Sequence, residues 1–214
     1  MAAENEKLLR RWLSHTEAEL NATPPDVARC QAAFVKLKQH VEQLLESYFP
    51  PIKLSATLWS DALLRQADAD LRAAEVLARE GGPPSVLCML LQMVFEKLAK
   101  AALARFDVQC FVAFRVSHAA ASRLVSTIKT HAAFVDLRYK WKDVLPLVQA
   151  LERAHPALAR GGPHLEYPWE AGGRMGLPEE LPLVRQLDNP LDPKGPKLLR
   201  FARELHDRFD ELFP

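Results

Sequence analysis

Only three cysteines occur in 214 residues, and Cys30, Cys88 and Cys110 lie far apart. An odd, scattered set in apolar surroundings excludes a disulfide framework and a cysteine-built zinc site, and predicts buried thiols in a reducing compartment. Charge of one sign is missing as well. The 28 basic and 27 acidic residues leave a formal net charge of +1, so no global field draws the chain onto nucleic acid and any such binding needs a local patch. Long hydrophobic runs are absent: the most apolar one, SVLCMLLQMVF, is too short to span a bilayer and contains Gln92. The opening MAAENEKLLRRWL carries acids where a secretory signal needs an apolar stretch. These absences predict a soluble cytoplasmic protein with no membrane partner.

Chemical signatures are equally sparse. No glycine-rich segment lies between a strand and a helix, which excludes a P-loop or Rossmann site, and no cofactor is expected. His164 and Glu166 offer two metal ligands with no third nearby in sequence, so no metal site is expected. Ser117 and His118 are neighbours, and on a helix their side chains point about 100° apart, which prevents them from acting as nucleophile and base. Helix capping or solvent exposure is the expectation for both.

What is present is helical periodicity. Leu9, Trp12, Leu13, Thr16 and Leu20 recur at spacings of three and four, Thr23-Pro24-Pro25-Asp26 marks a turn, and a second helix runs to Pro50-Pro51. An N-terminal helical hairpin over 1–50 follows. A long helix is expected over 56–80, with Leu64, Ala67, Leu71, Ala74 and Ala78 on its apolar stripe. After Gly81-Gly82-Pro83-Pro84 comes a helix apolar nearly all round, either central in a bundle or covering a subunit interface, with Glu96 and Lys100 spaced for an ion pair on its less buried side. Further helices are expected over 111–131, 143–154 and 196–213. A proline- and glycine-rich loop over about 156–195 separates the last two, partly pinned by Tyr167 and Trp169. No strand alternation is sustained, so the expected architecture is all-α.

Between 105 and 142 the basic residues Arg105, Arg115, Arg123, Lys129, Arg138, Lys140 and Lys142 outnumber Asp107 and Asp136. This is the chain's one local positive excess. Its stretch from Arg115 to Lys142 forms, with the aromatic loop around Tyr167 and Trp169, a candidate RNA- or nucleotide-binding set.

Two stretches carry a family resemblance. LLRQADADLRAAEVLA followed by CMLLQMVFEKLAKAAL resembles the first two helices of the HEPN superfamily (higher eukaryotes and prokaryotes nucleotide-binding domain): Ala67, Asp70, Leu71 and Ala74 fit the first motif, and Gln92, Glu96, Lys97, Lys100 and Ala101 the second. Tyr167-Pro168 in HLEYPW is similar to a segment before the last helix of many members. Asp70 then reads either as a family residue pairing with a cation or as a solvated helix residue. Where many members carry histidine and aspartate, this chain offers Lys142-Asp143 or, one helix earlier, Ser117-His118. The resemblance spans residue 55 to the C-terminus and implies a HEPN-like antiparallel bundle over 51–214, a homodimer through the second bundle helix, and RNA or nucleotide handling in a toxin–antitoxin or defence setting, with a nucleotidyltransferase-type partner.

Ribonucleases of that superfamily carry an arginine, four to six residues, then histidine. Arg200 and His206 satisfy the spacing. The implied chemistry is metal-independent: histidine moves a proton at the ribose hydroxyl or leaving oxygen, and arginine stabilises the phosphate. On a regular helix Arg200 and His206 lie roughly 120° apart and Arg203 and His206 roughly 60°, so Arg203 is the better partner. Phe201, Leu205, Phe209 and Leu212 read as core, and Phe201 stands where the motif usually has a polar residue. Two function classes therefore remain: a non-catalytic binding module, which the imperfect motif favours, and an endoribonuclease built on His206 with Arg203 or Arg200.

Overall fold

The computed structural model describes residues 52–214; the N-terminal hairpin expected over 1–50 lies outside them. The described part is a helical bundle with one small hairpin. Helix α1 (Ile52–Arg79) and helix α2 (Pro84–Phe106) are joined by a tight turn. Gly81 takes φ 68°, and the Gly82 N–H donates to Leu77 O at 2.9 Å, so a left-handed glycine ends α1 and satisfies one of its last carbonyls. The two helices run antiparallel, since Asp70 pairs with Lys97 while the earlier Asp61 meets the later Arg105. Ala67, Leu71 and Ala74 are buried as expected; the stripe continues through Leu63 and Ser60, whereas Ala78 is exposed.

The chain continues through α3 (Val108–Phe114), α4 (Ala120–Thr130), a 3-10 turn (Ala132–Phe134), α5 (Val135–Lys140), α6 (Leu145–Arg153) and the four-residue α7 (Pro156–Ala159). The single helix expected over 111–131 is thus broken at 115–119, where the Ser117 hydroxyl accepts from the Ala119 N–H and offers the backbone an alternative to the helix ladder. Pro146 sits in the first turn of α6, where its missing N–H leaves no bond unmade.

The expected loop over 156–195 is largely structured. Strands β1 (Trp169–Ala171) and β2 (Arg174–Gly176) form an antiparallel hairpin, which corrects the expectation of no strand. Gly172 and Gly173, both at positive φ, supply its two-residue turn. A 3-10 turn (Pro178–Glu180) and α8 (Pro182–Leu187) follow, then α9 (Lys194–Asp207), which breaks at Arg208 before α10 (Phe209–Leu212).

Helix α2 is the centre. It packs on α3, α4, α6, α8 and α9, and only Val86 and Phe106, near its two ends, are exposed large apolar residues. Its all-round greasiness is therefore used within the chain. From Phe95 of α2 a line of rings runs to Phe201 at 5.7 Å and on to Trp141 at 5.4 Å. Leu198, Phe201, Leu205 and Phe209 are buried, as their spacing requires, and Leu212 is partly so. Cys88 is buried, and burial with Asp188 nearby pushes its thiol up to about 12; Cys110 is half-buried. Among the described residues no helix is long and apolar enough to cross a membrane.

The start of α9 rests directly on the end of α8. A Cβ on buried Gly195 would lie 2.2 Å from the Leu187 carbonyl oxygen, which is backbone and cannot swing aside. Gly195→Ala is expected to destabilise the bundle by about 1–3 kcal/mol through overpacking, and Phe201→Ala by about 3–5 kcal/mol through the cavity it leaves. Urea unfolding of each variant measures both.

Candidate functional site

Helix α9 turns Phe201 inward, which leaves Arg200, Arg203 and His206 off the core face. Arg200 is exposed, and its Nε donates to the Pro196 carbonyl of its own helix, at 3.4 Å. Arg203 is held firmly: its Nε and Nη2 donate to the two carboxylate oxygens of Glu75 at 2.8 and 2.7 Å, and its Nη1 lies 3.4 Å from Asp68 and 3.5 Å from Asp207. His206 sits among the same carboxylates, with Nδ1 3.2 Å from Asp207 and Nε2 4.0 Å from Asp68. Arg203 and His206 thus share two neighbours, as helix spacing requires, and Arg200 stands apart.

The electrostatics of that corner oppose phosphate. Hydrogen bonds to Glu75 raise the Arg203 pKa against the opposing effect of burial, so the guanidinium stays charged, but its charge is already matched by carboxylates. An incoming phosphate would have to displace Glu75 and then face Asp68 and Asp207 as well. The fork-to-fork pairing with Glu75 instead clamps α9 to α1. In a double-mutant cycle of Arg203→Ala and Glu75→Ala, a coupling energy of about 1 kcal/mol is expected in urea unfolding, the size of a well-aligned, half-exposed pair.

The basic residues divide. Lys140 is neutralised by Glu204 at 2.6 Å and lies over the Trp141 ring. The Arg115 guanidinium lies over Trp59, 5.7 Å from the ring centre. Arg123 and Lys142 are exposed and form no ion pair with any described residue. Lys129 and Arg138 come together: Arg138 Nη1 donates to the Lys129 carbonyl at 2.7 Å and its guanidinium stacks on exposed Tyr139 at 5.5 Å. Among the described residues neither pairs with a carboxylate, and Lys129 reaches the Gln149 amide oxygen at 3.5 Å. Of the aromatic loop, Trp169 packs against the core and Tyr167 is exposed, with the His164 ring 5.8 Å from Tyr167 and 6.5 Å from Trp169. That loop makes its ring contacts with His164.

A third cluster brings together residues that no sequence motif links. Glu96 and Lys100 do form the expected pair, at 2.7 Å, but their side chains are only 12% and 10% exposed, so the pair lies inside rather than on a less buried side. Gln92 Nε2 donates to Glu96 Oε2 at 3.0 Å. His118 turns to place Nδ1 3.1 Å from the same oxygen, a partner that its expected role as a cap or exposed residue does not include, while its side chain remains partly exposed. Its ring stacks on that of His155, centres 3.8 Å apart and planes 17° from parallel. His155 Nδ1 accepts the Ala157 N–H at 3.2 Å, and its Nε2 lies 3.7 Å from Glu166.

Burial opposes ionisation of Glu96, but hydrogen bonds from Lys100, His118 and Gln92 outweigh it and hold the carboxyl below its ordinary value. Burial first, and then the neighbouring His118, hold His155 below the ordinary imidazole value, so it is neutral near pH 7. The sequence signal for this cluster is dispersed. Glu96, His118 and His155 lie on α2, at the break before α4 and at the cap of α7, with no motif spacing to join them. Compared with known proteins, the chain matches no family model, no curated protein and no solved structure.

Proposed function

We propose that the helical unit is a HEPN-like module that binds single-stranded RNA, or a nucleotide as its smallest piece, on the face formed by Lys129, Arg138 and Tyr139. The carrying observation is the hydrogen bond from Arg138 to the Lys129 main-chain carbonyl: it brings together two basic residues that no described carboxylate neutralises, with the Arg138 guanidinium beside an exposed aromatic ring. Cations track a phosphate backbone, and a ring or guanidinium plane takes an unstacked base. The HEPN-like reading is supported by Asp70 pairing with Lys97 between the two motif helices and by His118 meeting Glu96 of the second motif. A toxin–antitoxin or defence role and a nucleotidyltransferase-type partner rest on the resemblance alone. A homodimer through α2 would have only Val86 and Phe106 as its large exposed apolar side chains.

Fluorescence anisotropy with a labelled single-stranded RNA tests the binding reading. Lys129→Ala combined with Arg138→Ala is expected to weaken binding by at least about tenfold and to lower the slope of log affinity against log salt by about 0.7 for each phosphate no longer neutralised. Tyr139→Ala is expected to weaken it by about 1–3 kcal/mol at unchanged salt slope. Unchanged affinity in both variants would overturn the proposed face.

The ribonuclease alternative keeps one supporting observation, the closeness of Arg203 and His206, and is disfavoured by the carboxylates around them. Incubation of the full chain with labelled RNA in EDTA separates the two readings. No cleavage is expected; cleavage that disappears in His206→Ala would establish the enzyme instead.

A further inference from the structure

Three side chains from different segments converge in the cluster on α2. Glu96, His118 and His155 each present a ligand atom, and the three atoms lie within 4.8 Å of one another. We propose that this cluster is a binding site for a divalent transition ion of the zinc, cobalt and nickel class. Bond lengths of about 2.0–2.2 Å around a tetrahedral ion place its ligand atoms about 3.3–3.5 Å apart. The Glu96 Oε2 to His118 Nδ1 separation of 3.1 Å is already close to that, and a modest contraction brings in His155.

The donor set selects the class of ion. Two imidazole nitrogens and one carboxylate oxygen suit zinc, cobalt and nickel, whereas magnesium and calcium require oxygens that this site does not supply in number. The supporting residues are in place. Gln92 and Lys100 fix the Glu96 carboxylate, with Lys100 drawn to Oε1 and Oε2 facing His118. Such outer hydrogen bonds orient a ligating group before the ion arrives. Glu166, 3.7 Å from His155 Nε2, stands at the rim as a further oxygen donor. Two carboxylates, Glu96 and Glu166, stand against the single ammonium of Lys100 in the cluster, a balance that favours a cation.

Binding requires small, specific rearrangements. The two stacked rings must splay so that their lone pairs converge, and His118, 40% exposed, is free to turn. The Ala157 N–H to His155 Nδ1 bond puts the His155 proton on Nε2. Coordination through Nε2 shifts that proton to Nδ1 and releases an exposed 3.2 Å bond at the start of a four-residue helix. Coordination through His118 Nδ1 replaces its hydrogen bond to Glu96, with the ring proton carried on Nε2. Lys100 competes with the ion for Glu96 and makes the imidazoles indispensable.

Cobalt chloride titrated into the full chain tests the site, followed by visible absorption of bound Co2+ and by NMR of the histidine rings. One equivalent is expected to bind and to be displaced by zinc. The His118 and His155 ring signals should broaden first, with those of His131 and His206 unaffected. His118→Ala and His155→Ala should each weaken binding by at least about tenfold, and His131→Ala should not. Broadening centred on other histidines, equal affinity in the His118→Ala/His155→Ala double variant, or no binding at millimolar cobalt would overturn the proposal. Should the double variant fail to fold, the NMR titration of the unmodified chain decides alone.

Discussion

A polar stripe on the most buried helix constrains the rest of this structure. Helix α2 is apolar around most of its circumference, yet it carries Gln92, Glu96, Lys97 and Lys100 into surroundings where an unpaired charge is costly, about 3–5 kcal/mol when one partner of a buried pair is lost. Each must find a partner, and the partners fix neighbouring elements. Lys97 reaches Asp70 and sets the register of α1 against α2. Glu96 takes Gln92 and Lys100 from its own helix and His118 from the break before α4. His118 in turn stacks on His155, where α6 passes into α7. Hydrophobic contact alone tolerates sliding between helices; these pairs do not.

The closing helix solves a related problem differently. Phe201 extends the ring contacts from Phe95 to Trp141, and Leu198 and Leu205 fill the core on either side. With the inner face so committed, Arg203 points to α1 and Glu204 to α5, where its carboxylate takes both Lys140 and the Trp141 N–H. Charged residues at the margin of α9 therefore act as lateral ties. The arrangement also engages the arginine that helix geometry places beside His206: the guanidinium of Arg203 is the one that the same geometry delivers to Glu75 and Asp68.

Legibility in the sequence follows the range of the interaction. Helix existence, the glycine turn after α1, the tolerance of Pro146 and the burial of Phe201 and Leu205 are local properties of period and chain geometry, and periodicity reveals them. Asp70 stays between a paired and a solvated role on sequence grounds because its partner, Lys97, lies across a turn. The break at 115–119 is hidden in FVAFRVSHAA, whose apolar spacing does not show that Ser117 and His118 have better partners than a helix offers. The 156–195 segment announces its turns through proline and glycine, but its hairpin has only three residues per strand, too few for alternation to register. His155 carries no local signal, since its significance depends on His118 and Glu96 arriving beside it.

The three polar regions differ in what a ligand would have to displace, and that difference separates their chemistry. At Arg203 the guanidinium is met by carboxylates on several sides, so an anion gains nothing it does not first have to release. At Lys129 and Arg138 the bonds are to a main-chain carbonyl and an amide oxygen and no described carboxylate is involved, so a phosphate displaces neutral acceptors, solvent and counterions, the circumstance in which entropy favours binding. At Glu96, His118 and His155 an ion would replace the one hydrogen bond between ligands, His118 Nδ1 to Glu96, and release only the exposed Ala157 N–H from His155. A site is open to a given ligand when the contacts it breaks are weaker than those it makes, and by that criterion the basic face suits an anion and the histidine cluster a cation.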